Sequence, residues 1–275
     1  MEYKITASIV LYNTNKDFLY SIFDCIQNSI IDKVYVIDNS PKDNLRELVL
    51  SISTKVEYIF GHGNIGYGAG HNIALNKAIN LDSLYHVVLN PDIQFDYDVI
   101  SHLEYFLNQH QDIGLILPNV VYPNGELQYL CKLLPTPLDM FGRRLLPKKL
   151  IEKRNFKYEM RETGYNEVRN VPCLSGCFMF MRTNVLKQIG LFDDRFFMYF
   201  EDFDLIRRIH KVAKTVFYPK LTIVHNHARE HKSSKKLLKI SIFSTIKYFN
   251  KWGWFFDKDR RRWNREAFNN SNIIS

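Results

Sequence analysis

The residues best suited to chemistry are acidic. Phe192-Asp193-Asp194-Arg195 and Phe200-Glu201-Asp202-Phe203-Asp204 form the densest carboxylate clusters of the chain, set among Phe196, Phe197, Met198, Tyr199 and Phe200. Carboxylates beside so many apolar groups lose hydration, which raises their proton affinity and suits a general base. The same acids could simply occupy a first helical turn, where the helix dipole favours them. A further carboxylate, Asp92, follows the apolar run Tyr85–Leu89 in YHVVLNPDIQF. Pro91 cannot donate to a sheet ladder, so the strand should stop there and leave Asp92 at its carboxyl end. Ligands collect at such ends in open α/β sheets, although a plain polar turn would read the same way. His225-Asn226-His227 follows the apolar run Leu221–Val224, with His231 further on. A lone histidine there is more often structural. Imidazole, the Asp92 carboxylate and nucleotide phosphate oxygens together would suit Mn2+ or Mg2+.

Two more strand ends carry polar groups, Asn13 after Ile5–Tyr12 and Asp38 after Val34–Ile37. Asp38 could accept a hydrogen bond from a base or ribose, or close an Asx turn. Asn64-Ile65-Gly66-Tyr67-Gly68-Ala69-Gly70-His71-Asn72 is a glycine-rich turn opening a helix. Glycine lets backbone approach a ligand, and a helix N-terminus favours anions, but a tight turn explains the pattern equally well. It is not a GxGxxG fingerprint, and no Walker pattern follows.

These residues need strands that end together. Strands are expected at 5–12, 34–37, 56–60, 85–89, 113–117, 177–181, 216–218 and 221–224. Helices are expected at 16–28, 44–52, after the glycine turn, and at 97–108, 184–189 and 200–212. Such alternation argues for a mainly parallel sheet with helices on both faces. Tyr122-Pro123-Asn124-Gly125 reads as a hairpin turn. From Cys131 to Val171 regularity fades, and Pro135, Pro137, Pro147, Arg143, Arg144, Lys148, Lys149, Lys153 and Arg154 predict a charged loop or short helices.

The 275 residues, 46% of them hydrophobic, suffice for one large α/β domain with an appendage. Cys25, Cys131, Cys173 and Cys177 lack zinc-site spacing, and reduced thiols in a cytoplasmic compartment are expected. The opening MEYKITASIVLYN runs at once into a strand, so no targeting segment is expected, and no apolar run reaches the roughly 18 residues of a membrane span. Net charge is +8, yet residues 229–265 hold 12 Lys and Arg against 3 Asp and Glu, so the remainder nets −1.

In order, the strand ending at Asn13, VIDNS around Asp38, the NxGxGxGxN turn, NPD at Asn90–Asp92, GCFMFMR, GLFDDRFFMYFEDFDL and VHNH resemble the family 2 glycosyltransferases with a Rossmann-like GT-A fold, more narrowly the bacterial rhamnosyltransferase-like members. The resemblance spans roughly residues 3 to 230. It implies a catalytic domain over 1–230, a base-binding Asp38, a metal-binding Asp92, a catalytic base at Asp202, and a His225 that completes the metal or diphosphate site. Asn13 and the turn with Asn64, Gly66 and Asn72 would then hold base and ribose. Asn90 stands where the family's acidic motif has its first acid. An amide is a weaker ligand, so Asp92 would carry the metal with little help. The implied activity is inverting transfer of a sugar, L-rhamnose from dTDP-rhamnose first and a UDP-hexose second, to a lipid-linked precursor of a cell-surface polysaccharide such as capsule or O-antigen.

Residues 231–275 form a basic, aromatic-rich extension. Leu238, Ile242, Ile246 and Phe249 recur at helical spacing, flanked by Lys235, Lys239, Lys247 and Lys251. Trp252, Trp254, Phe255, Phe256 and Arg260–Arg262 follow. An amphipathic helix of this kind fits an anionic membrane surface, at the inner face of the plasma membrane, or packs on the catalytic domain or on a second copy in a homodimer. Nucleic-acid binding is not expected, because no zinc-finger, helix-turn-helix or RNP-type pattern accompanies the charge. A non-catalytic sugar-nucleotide binder would not need both Asp92 and Asp202.

Overall fold

The computed structural model describes residues 3–142, 147–226 and 235–269. Arg143, Arg144, His227 and His231 lie outside the described residues. β1 (Ile5–Leu11), β2 (Lys33–Asp38), β3 (Val56–Phe60) and β4 (Tyr85–Leu89) lie side by side in the order β3-β2-β1-β4, all parallel. Every residue of β4 is buried, as a strand covered on both faces requires. α1 (Lys16–Gln27), α2 (Arg46–Ile52) and α3 (Tyr67–Asn80) connect them. Asn15 caps α1 by accepting the Asp17 amide, and the helix buries Leu19, Ile22, Phe23 and Ile26, the spacing of a single face.

β5 (Ile93–Gln94), β6 (Ile113–Val121), β7 (Arg169–Asn170), β8 (Phe178–Arg182) and β9 (Lys214–His225) build the other half. β8 runs antiparallel between β4 and β6, while β6 and β9 pair in parallel. The α/β class with flanking helices holds, and the whole sheet is mixed. α4 (Val99–Gln109), α5 (Pro137–Phe141), α6 (Lys148–Tyr158), α7 (Thr183–Ile189), α8 (Glu201–His210), α9 (Lys235–Trp252) and α10 (Lys258–Asn269) complete the order. The two short strands expected at 216–218 and 221–224 form one. Pro219 has no N–H for the ladder, so the register slips from Tyr218 opposite Pro118 to Thr222 opposite Asn119. The 131–171 region holds short helices, with Thr136 and Asp139 forming a capping box on α5.

The registers decide where polar residues meet. Leu11 lies opposite Asp38 and Ile9 opposite Leu89, so Asn13, Asp38 and Asn90–Asp92 share one sheet edge. Antiparallel β8 starts there, with Phe178 opposite Leu89. β5 pairs Ile93 with His225 and so brings the end of β9 to Asp92.

The C-terminal helices pack on this body. α9 buries Ser244, Thr245, Tyr248 and Phe249, of which only Phe249 belongs to the stripe expected from sequence; Leu238 is 43% exposed. Tyr248 and Phe249 cluster with Phe196 and Phe200. The small Ser244 allows close approach and donates to the Met198 carbonyl at 2.8 Å. Arg207 of α8 pairs with Asp257 at 2.7 Å, both buried, and stacks over Trp252. Asn264 clasps the Leu134 backbone, accepting its amide at 2.7 Å and donating to its carbonyl at 2.9 Å. Among the described residues no helix is long and apolar enough to cross a membrane.

Candidate active site

At the end of β2 the Asp38 carboxylate is fully buried. One oxygen accepts the Ser40 amide at 2.8 Å, the Asx turn open to it from sequence, and the other accepts the Tyr58 hydroxyl at 2.6 Å. Burial first, then this bond, pushes the Tyr58 phenol up, so Tyr58 stays the donor. Asn13 has left-handed backbone (φ 49°), and its amide donates to Ser40 Oγ at 2.8 Å. Asp38 therefore organises the rim on which a base could rest. A base reaching its carboxylate must share or displace the Tyr58 bond.

The glycine-rich turn faces protein. At Gly66, φ is +94° and a Cβ would stand 2.2 Å from the Phe197 carbonyl oxygen. The next amide, of Tyr67, donates to that carbonyl at 3.0 Å. Asn64 folds back to accept the Gly66 amide at 3.1 Å. Asn72 accepts the Phe192 amide at 2.9 Å and donates to the Phe192 carbonyl and Asp194 Oδ1, both at 2.8 Å. Gly66 and Asn72 thus anchor the 192–197 segment that leads into α8. Asn39, buried, ties the end of β2 to the same turn by donating to the Gly66 carbonyl at 3.0 Å.

Past β4, Asp92 Oδ1 lies 3.4 Å from His225 Nε2, and the Asn90 side-chain nitrogen lies 3.5 Å from the same atom. The other ring nitrogen of His225 meets Gln128 Oε1 at 3.0 Å, and Gln128 donates to the His225 carbonyl at 2.8 Å. Burial works against protonating this imidazole. The bond to Asp92, then the neighbouring Cys177, outweigh it and hold His225 at about 10, so an incoming cation would have to displace the proton on Nε2. The donor set fits a hard divalent ion that keeps open positions. One carboxylate and one imidazole converge, and the amide oxygen on the far nitrogen orients the ring as outer partners of metal-binding histidines do. Among the described residues no three potential ligands gather, so phosphate oxygens and water would supply the rest.

Asp202 stands in the first turn of α8. Its Oδ2 accepts the Gly176 amide at 3.0 Å and its Oδ1 the Phe203 amide at 2.9 Å. Burial raises its proton affinity, opposed by these amides and by Lys132. Glu201 is buried with Oε2 unpartnered, and burial, then the Asp202 charge, push it well above the usual carboxylate range. Tyr199 and Phe200 before them take left-handed backbone at φ 68° and 70°. Each costs about 1–3 kcal/mol, supported here by Phe200 packing on Tyr248. Asp202 is thus a first-turn acid in a desolvated setting.

Asp202, Glu201, His225, Gln128 and Lys132 share a cavity of about 750 Å³ closed on one side by Ser241 and Thr245 of α9. Sequence reasoning passed over Tyr67, Gln128, Lys132 and Gly176. Tyr67 links the parts: its hydroxyl lies 3.0 Å from Asn90 Oδ1 and 2.8 Å from the Gly176 carbonyl. Tyr67 was already visible inside the glycine-rich motif and Gly176 opens GCFMFMR; nothing local marks Gln128.

A family profile described as glycosyl transferase family 2 matches residues 6–190. The low-salt glycan biosynthesis hexosyltransferase Agl10 of Haloferax volcanii is 27% identical over 212 residues, 75% of this chain and 62% of that protein. The N-acetylglucosaminyl-diphospho-decaprenol L-rhamnosyltransferase of Mycobacterium tuberculosis is 24% identical over 205 residues, 71% of this chain and 66% of that protein. The chain thus spans under two thirds of the length of these relatives. The structure of mannosyltransferase PcManGT from Pyrobaculum calidifontis, in complex with GDP-Man and Mn2+, superimposes with a TM-score of 0.61 at 14% identity over 90% of this chain and 63% of that one.

Proposed function

The chain belongs to glycosyl transferase family 2, and from that premise we propose that it is an inverting glycosyltransferase taking a sugar from a nucleotide donor. The observation that carries the reading is one cavity wall holding both His225 of the Asp92 pair and the Asp202 carboxylate. The donor lies across the carboxyl edge of the sheet, with its base on the rim built by Asp38 and Asn13. Asp92 and His225 would hold Mn2+ or Mg2+, with Asn90 beside them. When bound, the ion offsets charge on the departing nucleoside diphosphate.

An acceptor hydroxyl in the cavity gives its proton to Asp202 while its oxygen attacks the anomeric carbon. Attack from the face opposite the leaving group inverts the configuration in one displacement. The amides of Gly176 and Phe203 hold the carboxylate in place, and Lys132 favours its ionised form. Gly66 and Asn72 act indirectly, by seating the segment that presents Asp202.

Within this reading the donor is dTDP-rhamnose and the acceptor a lipid-linked precursor of a cell-surface glycan such as capsule or O-antigen, made at the cytoplasmic face of the membrane. The name of the mycobacterial relative supports this. The name of the archaeal hexosyltransferase supports the second reading, a UDP-hexose donor. A screen of UDP-, dTDP- and GDP-sugars with Mn2+ or Mg2+, reading nucleoside diphosphate release and thermal shift, separates them. A selective, metal-dependent signal from one donor is expected; silence from a folded protein across the panel, with lipid-linked acceptor supplied, overturns the reading.

A further inference from the structure

The turn between α9 and α10 exposes Phe255 at 72% and Phe256 at 88%. Its backbone is held from within. The buried Arg260 guanidinium donates to the carbonyls of Pro135 at 3.2 Å, Gly253 at 3.3 Å, Trp254 at 3.0 Å and Phe255 at 3.4 Å. Gly253 sits at φ +96°, where a Cβ would meet the Phe256 carbonyl oxygen at 2.7 Å. Trp254 stacks on Phe141 with ring centroids 6.3 Å apart. Two large aromatic side chains are thus fixed outward on a rigid support. That exposure adds nothing to folding, because their apolar area stays in water.

Cations follow at once. Lys258, Arg261, Arg262 and Arg265 recur at a spacing of three, four and seven along α10, all exposed, against Asp259 and Glu266. That spacing makes one helix face. The turn also adjoins the cavity, because Phe141 follows Met140 of the cavity wall. A second copy of the chain is a poor occupant, since a two-fold contact through this surface would bring the cationic face near its own equivalent.

We propose that the α9–α10 turn is a membrane-docking wedge. Phe255 and Phe256 enter the interfacial layer of an anionic bilayer, and the α10 cations pair with lipid phosphates. The site of contact is this turn; the α9 stripe read from sequence is partly covered by the catalytic body. The purpose of docking, delivery of a lipid-linked acceptor to the neighbouring cavity, rests on the proposed function.

The test is co-sedimentation of the full chain with phosphatidylcholine vesicles, with and without phosphatidylglycerol. Wild type should bind the anionic vesicles and lose them as salt rises. Phe255→Ser with Phe256→Ser, and separately Arg261→Glu with Arg265→Glu, should each weaken binding about tenfold or more, with unchanged melting temperature. The proposal is overturned by no wild-type binding at low salt, by a Phe variant that binds as tightly as wild type, or by a wild-type dimer that the Phe changes dissociate. Nucleoside diphosphate release from the donor, measured on the same samples, keeps the two readings apart. Turnover without vesicle binding sinks the wedge alone, and vesicle binding without turnover sinks the transferase alone.

Discussion

The amide of Gly176 donates to Oδ2 of Asp202 at 3.0 Å, and a Cβ on Gly176 would stand 2.8 Å from Cβ of Asp202. Position 176 is therefore both a hydrogen-bond donor to the Asp202 carboxylate and a steric stop behind it. Gly176→Ala should push the carboxylate off its position and lower kcat about a hundredfold, as misplacement by about 1 Å commonly does. Donor affinity should change little. Steady-state kinetics beside a thermal melt checks this, and an alanine variant with wild-type kcat would remove Gly176 from the positioning of Asp202.

Asp202→Asn keeps the shape and loses the proton acceptor. Turnover should fall about 10²- to 10⁴-fold, while thermal shift by the donor survives. A variant that turns over normally would move the base elsewhere.

The pH dependence follows from the direction of the Asp202 shift. Burial raises its proton affinity, so the acid limb of kcat should have its midpoint above the ordinary aspartate value of 3.8. Lys132 opposes the rise, so Lys132→Met should move that limb to still higher pH. The linked stability has the opposite sense to the usual aspartate. A raised folded-state pKa contributes stability at low pH that is lost as pH rises through it. An acid limb that moves down in Lys132→Met would contradict the assignment.

Metal binding should depend on a residue that would not itself touch the ion. Gln128 fixes the His225 ring through Nδ1 at 3.0 Å. Gln128→Leu should weaken activation by Mn2+ about 10- to 100-fold, as loss of an outer partner does, and chelator should abolish wild-type turnover. Titration of activity with Mn2+ reads both, and activity indifferent to chelator would count against the Asp92–His225 site.

How much of this was legible beforehand depends on range along the chain. Strands such as Tyr85–Leu89 announce themselves by composition, and Pro91 marks where they stop. Once the strands are parallel, a shared edge for Asn13, Asp38 and Asp92 follows from topology alone. The approach of Gly176 to Asp202, of Tyr67 to Gly176 and of Gln128 to His225 joins residues 26, 109 and 97 positions apart. No local pattern encodes such contacts. The glycine turn shows the converse limit. Left-handed backbone at Gly66 and a polar Asn72 are equally what a ligand or a protein carbonyl would demand, and here Phe197 and Phe192 occupy those places. The α9 stripe was legible only in part: Phe249 is buried, but Ser244 and Thr245, small and satisfied by the Met198 and Ser241 carbonyls, allow the closest packing, while Leu238 stays 43% exposed.

The ion pair under the C-terminal helices gives the last prediction. The side chains of Arg207 and Asp257 are 1% and 4% exposed, so removing Arg207 leaves a buried carboxylate held only by the Arg260 amide at 2.9 Å and the Arg260 guanidinium at 3.9 Å. Arg207→Ala should cost about 3–5 kcal/mol and lower the melting temperature at pH 7 sharply. Burial, the largest single influence, would raise Asp257; the Arg207 bond, the Arg260 amide and the charges of both arginines together outweigh it and hold the carboxyl below its ordinary value. A depressed pKa contributes stability present above the unfolded value of 3.8 and lost as pH falls through the folded one. In the variant Asp257 can neutralise itself by taking a proton, so the gap between variant and wild type should be widest near neutrality and narrow as pH falls toward 4. Melting curves across that range read it directly. Because α8 carries both Arg207 and Asp202, turnover should fall with the helix: a variant that melts early yet works normally at low temperature would separate the C-terminal helices from the presentation of the base.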